Sequence, residues 1–149
     1  MKVKCTTLTY LTKTSPVLFL PYTSSKNEDD FITFSHGSSV DDGVKYHLFV
    51  GADYEVYGLM VHDNILYYLI SFEETVMPDW IPSNLFEITD STIPYFWVIN
   101  TKFHKNDDIM FILNHYEIST DFNHMIGLLQ GIPSDFKSFR DAMNQYLTV

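Results

Sequence analysis

Three runs in the middle of the chain decide the fold: Lys45-Tyr46-His47-Leu48-Phe49-Val50, Tyr54-Glu55-Val56-Tyr57-Gly58-Leu59-Met60-Val61 and Ile65-Leu66-Tyr67-Tyr68-Leu69-Ile70-Ser71-Phe72. They are rich in β-branched and aromatic residues, and Gly51-Ala52-Asp53 and His62-Asp63-Asn64 between them have turn chemistry, so the spacing predicts an antiparallel meander. The third run is apolar on both faces, which predicts a central strand covered on each side.

Outward from this centre the pattern stays extended. Val3, Cys5, Thr7 and Thr9 alternate as a strand, and Val17-Leu18-Phe19-Leu20 between Pro16 and Pro21 reads as a short one. Phe31-Ile32-Thr33-Phe34 is another, after a polar loop over 22–30. His36-Gly37-Ser38-Ser39 and Asp41-Asp42-Gly43 read as turns. Met77-Pro78-Asp79-Trp80-Ile81-Pro82 reads as irregular, because two prolines four apart oppose both a helix and a ladder. Leu85–Ile88 and Tyr95–Thr101 resume extended structure around a turn at Asp90-Ser91-Thr92. Ile109–His115 suits a helix face or a buried strand, and reads as a strand.

The period changes near the C-terminus. Asp121 can cap a helix whose face is Phe122, Met125, Ile126 and Leu129, ended by Gly131 and Pro133. Ser134 and Asp135 start a second, with Phe136, Phe139, Met143 and Leu147 on one face. The expected fold class is α+β: a meander-rich antiparallel β-sheet with two C-terminal helices packed on it. At 149 residues, 46% hydrophobic and 19% charged, the chain reads as one folded domain, 1–149, able to bury roughly 70% of its unfolded surface. The single cysteine, Cys5, excludes an intrachain disulfide and suggests a reducing compartment. With no apolar run behind the two N-terminal lysines and none near 18 residues, a cytoplasmic protein is expected.

Charge is the most informative functional signal. Residues 28–90 hold thirteen acids and one base, Lys45, a local charge of −12, against +2 for the remainder. Such a field repels nucleic-acid backbones and anionic membranes, and favours a basic protein partner, although solubility alone also accounts for an acidic chain. The candidate binding residues are Glu28, Asp29, Asp30, Asp41, Asp42, Asp53, Tyr54, Glu55, Tyr57, Asp63, Glu73, Glu74 and Asp79, acids with aromatic anchors among them.

No catalytic residue, metal ligand or cofactor is assigned. The six histidines, His36, His47, His62, His104, His115 and His124, include no pair four apart and have no Cys-x-x-Cys beside them, so they read as exposed or core-edge residues. Ser35-His36-Gly37-Ser38-Ser39 lacks a nucleophile elbow, and no phosphate-binding glycine motif occurs.

Trp80-Ile81-Pro82-Ser83-Asn84-Leu85-Phe86-Glu87-Ile88-Thr89-Asp90, followed by Trp97 and Phe-rich helices, resembles a W-x-P-x-x-L-F-E-I-x-D segment of small bacterial immunity proteins. These belong to contact-dependent growth inhibition and related polymorphic toxin systems. The resemblance implies a cytoplasmic, non-enzymatic protein that neutralises one cognate toxin domain. The residues themselves read as scaffold, with Trp80, Leu85, Phe86, Ile88 and Trp97 expected in the core. The alternatives are an adaptor or ligand-binding module, and a small Asp/His-dependent hydrolase.

Overall fold

Ten consecutive residues, Asp53–His62, form the strand on which the sheet is built. A computed structural model describes residues 1–7, 9–10, 18–21, 31–34, 37–40, 43–46, 48–62, 64–71, 78–101 and 109–147. The strands are β1 (Lys2–Cys5), β2 (Thr9–Tyr10), β3 (Leu18–Pro21), β4 (Phe31–Phe34), β5 (Gly37–Val40), β6 (Gly43–Tyr46), β7 (Asp53–His62), β8 (Ile65–Ile70), β9 (Asp79–Pro82), β10 (Phe86–Asp90), β11 (Val98–Asn100) and β12 (Ile109–Asn114). Three helices follow, α1 (Tyr116–Thr120), α2 (Phe122–Leu129) and α3 (Pro133–Leu147). The class is α+β, with a seven-stranded antiparallel sheet. Within it β7 pairs β1 through Asp53–Glu55, β8 through Val56–His62 and β12 through Gly58–His62. β10 continues from β1, β9 from β8 and β11 from β12. β2, β6 and β5 form a separate three-stranded sheet, and β3 pairs β4.

The hairpin from β7 to β8 is the expected one, and Asn64 at φ 62° supplies the left-handed residue that a tight turn requires. In register, Val56 faces Ile70 but Gly58 faces Leu69, so β7 carries one extra residue at Tyr57. This bulge reverses the parity of the strand. Ahead of it Tyr54 and Val56 enter one core, with Val3, Cys5, Leu48, Tyr68, Ile70, Ile81, Leu85 and Trp97; beyond it Met60 enters the other. That second core joins Tyr67, Leu69, Trp80 and Ile112 to Ile118, Met125, Ile126, Leu128, Phe139 and Met143 of the helices. Tyr67 to Ile70 are all buried, as a strand covered on both faces requires.

Several expectations are corrected. The meander is β7-β8-β9, because β6 pairs in the smaller sheet and residues 48–52 form a turn. The segment read as irregular contains β9, whose only partner among the described strands is β8; at such an edge Pro82 removes no donor the ladder needs. Gly37–Val40 is a strand rather than a turn. Only Val98–Asn100 of the run from Tyr95 is strand, since Trp97 N–H closes a turn onto the Pro94 carbonyl. Ile88, expected in the core, is 54% exposed on the edge strand β10, and Phe86 is half-buried. The extra helix α1 precedes the two expected.

Of those two, α2 is formed for the expected reasons, while α3 already begins at Pro133, ahead of the expected Ser134 and Asp135. Asp121 accepts the His124 backbone N–H, capping α2, and Gly131 at φ 74° ends it. Ile109–Asn114 is a strand. The expected loop over 22–30 and the turn residues Asp41 and Asp42 lie outside the described residues. Among the described residues, no helix is long and apolar enough to cross a membrane.

Candidate functional site

Among the described residues, two places carry chemistry beyond the core. The first is the entry to β7. Gly51, at φ 84°, lets the chain reverse between Leu48 and Asp53, and four hydrogen bonds fix the turn. Gly51 N–H donates to the Cys5 carbonyl at 2.8 Å, Cys5 N–H to the Ala52 carbonyl at 3.0 Å and Ala52 N–H to the Phe49 carbonyl at 3.1 Å, while Phe49 N–H donates to the Tyr54 hydroxyl at 2.9 Å. The result is a tip that holds Phe49 78% and Val50 61% exposed. Large apolar side chains held out on a fixed backbone, beside polar residues, are the features of a contact site.

Next to the tip, Asp53 and Glu55 are exposed. Lys4 stands in register between Asp53 and Glu87, and Lys2 between Glu55 and Asp90, so the strip alternates acid, base and acid across three strands. Asp90 is held below the usual carboxylate range, chiefly by the Thr92 backbone N–H, next by the Thr92 side chain, and less by the positive N-terminus and Lys2.

The second place is the junction of the three helices. His115 follows β12 and is the N-cap position of α1; Glu117 lies on α1, His124 on α2 and Asp135 on α3. His115 is 2% and His124 9% exposed. Asn114 Oδ1 accepts the His115 backbone N–H at 2.7 Å and lies 2.9 Å from His115 Nδ1. An oxygen that accepts one bond accepts the other, so Nδ1 carries the proton and Nε2 the lone pair. Asp135 Oδ1 lies 2.8 Å from His124 Nδ1, which fixes the same tautomer in the neutral ring. Both Nε2 atoms are buried without a hydrogen-bond partner. Glu117 Oε2 is 3.9 Å from His124 Nε2 and accepts the Ser138 hydroxyl at 3.1 Å. One nitrogen from each ring and one Glu117 oxygen lie within 4.8 Å of each other. Burial pushes the His115 pKa down to about 4, against a smaller opposing effect of Glu117. The cluster borders an open groove of about 570 Å³ lined by Tyr116, Thr120, Asp121 and Asn123, among others.

Two glycines make this arrangement possible. A Cβ at Gly58 would overlap the side-chain amide of Asn114, and one at Gly127 would overlap the carboxylate of Asp135. Each glycine therefore seats the residue that orients one histidine.

Of the acidic and aromatic candidates, the structure brings Asp53 and Glu55 together on an open surface. Tyr54 is 8% exposed and Asp79 3%, so neither stands on the open surface: Tyr54 packs in the core and ties down the turn, and Asp79 lies within β9. Tyr57 is half-buried against Phe139, ring centroids 5.7 Å apart. Glu28, Asp29, Asp30, Asp41, Asp42, Asp63, Glu73 and Glu74 lie outside the described residues. The sequence reading missed Phe49 and Val50 by placing them in a strand, and missed His115-Tyr116-Glu117, a His-x-Glu that was the available signal for the second place. Cys5, the one thiol, is buried, and burial pushes its pKa up, so it serves as core. Compared with protein-family models, curated proteins and solved structures, the chain finds no match.

Proposed function

We propose that this protein is a non-enzymatic cytoplasmic inhibitor that binds and neutralises a basic toxin domain, as immunity proteins of polymorphic toxin systems do. The observation that carries the reading is the fixed turn exposing Phe49 and Val50 beside Asp53 and Glu55. An aromatic anchor with two exposed carboxylates beside it suits a partner whose own surface is basic, because desolvated apolar contact supplies affinity and opposite charge supplies encounter rate. The excess of acids over 28–90 supports the same partner class, since a toxin that grips phosphate offers Lys and Arg to a competing carboxylate surface. The test is co-expression with the toxic reading frame that neighbours this gene. Wild-type chain protects the cells, and Phe49→Ala with Val50→Ser reduces protection at unchanged protein level. Full protection by that variant, or no toxic neighbour, overturns the reading.

A second reading, a small hydrolase, is favoured by the His124–Asp135 pair bordering a groove. His124→Gln separates the two: it leaves protection intact for an inhibitor and abolishes it for an enzyme.

A further inference from the structure

We propose that His115 Nε2, His124 Nε2 and the Glu117 carboxylate bind one divalent transition-metal ion, with Zn²⁺ as the best fit, a site independent of the toxin-binding reading. The donors determine the metal class. Two imidazoles and one carboxylate suit borderline first-row cations, whereas Mg²⁺ and Ca²⁺ take oxygen shells. Both rings offer the lone pair a metal needs, because Asn114 and Asp135 hold the protons on the far nitrogens. That is the outer shell by which metal-binding histidines are oriented. A buried imidazole nitrogen without a partner costs free energy in a folded core; here both rings have one, each ring brings a nitrogen within 4.8 Å of the other and of a Glu117 oxygen, and His124 Nε2 is 3.9 Å from Glu117 Oε2.

The geometry is within reach of coordination. Ligands about 2.0 to 2.1 Å from a tetrahedral Zn²⁺ lie about 3.3 Å apart. The atoms present are separated by up to 4.8 Å, and the member that must move most easily, Glu117, is half-exposed and held only by the Ser138 hydroxyl among the bonds named above. Closure would tie the end of β12 to α1 and α2, with α3 bonded through Asp135. Three protein ligands leave a fourth position unfilled, and because Glu117 and His124 line the groove, water or a partner's side chain can approach the ion from there.

The test is Zn²⁺ titration of the chelator-treated full chain by calorimetry, with thermal melts alongside. One ion binds per chain and raises the melting temperature, while Mg²⁺ and Ca²⁺ at the same concentration do neither. Asp135→Asn weakens Zn²⁺ binding by about ten- to a hundredfold. Glu117→Gln, at a half-exposed position where folding is not at stake, removes the anionic ligand and abolishes the Zn²⁺-dependent rise. Zn²⁺ binding unchanged in Glu117→Gln would place the ion on other histidines and overturn the proposal. So would absence of binding by the wild type, or an equal response to Ca²⁺.

Discussion

Phe139→Ala removes the side chain through which α3 docks on the sheet. Phe139 is 1% exposed, and its ring meets Tyr57 of β7 edge-on at 5.7 Å and His115 at 5.9 Å. Deleting a buried phenyl ring costs about 3 to 5 kcal/mol through lost transfer energy and the cavity left behind. For a chain of this size that corresponds to a fall in melting temperature of roughly 6 to 20 °C. Of this, about 0.5 to 1.5 kcal/mol belongs to the pair with Tyr57. Urea unfolding measures the total, and a double-mutant cycle with Tyr57→Ala isolates the pair. A loss below about 1 kcal/mol, or a coupling of zero, would show that α3 does not pack on β7 as described, and the helix junction built on that packing would fall with it.

The remaining expectations concern charge, pH and the exposed tip. His115 has a folded-state pKa of about 4 against an ordinary 6.5, so the neutral ring is favoured on folding; its contribution is complete above about pH 6.5 and lost as pH falls toward 4. In metal-free protein this amounts to about 2 kcal/mol between pH 7 and pH 5, and His115→Gln should flatten the slope of stability against pH; an equal slope contradicts it. Phe49→Ala, at an exposed position, should change unfolding free energy by less than about 0.5 kcal/mol, which denaturant melts will check. Association with a basic partner should slow as salt rises and the Debye length falls below about 8 Å, and stopped-flow rates independent of salt would exclude steering.

The fold was legible where local pattern and tertiary environment agree. Alternation and apolar runs located β7 and β8, and the capping chemistry of Asp121 and Gly131 located α2. It was not legible where one residue changes the meaning of its neighbours. The extra residue at Tyr57 leaves the in-out alternation of β7 unbroken while switching the core its side chains enter, so sequence period cannot report it. Pro78 and Pro82 argue against a strand only if that strand is central, and position in a sheet is a tertiary fact. Of the acidic surface, Asp53 and Glu55 were readable from charge alone. Phe49 and Val50 were not, because an apolar pair ahead of a glycine reads equally as a strand end or a turn tip. At the helix junction His115 and Glu117 are two apart in sequence, but His124 and Asp135 come from other helices, and the proton positions follow from Asn114 and Asp135 contacts.

The most direct test of the central claim is a binding titration between this chain and the partner proposed for it, a basic toxin domain sought in the adjoining reading frame, purified and inactivated for handling. Wild type is compared with the triple variant Phe49→Ala, Asp53→Asn, Glu55→Gln, whose neutral side chains keep Lys2 and Lys4 from facing new like charges. Loss of an interface anchor costs about 2 kcal/mol or more, so the dissociation constant should rise at least about thirtyfold while the melting temperature stays close to that of wild type. An unchanged dissociation constant would contradict the account.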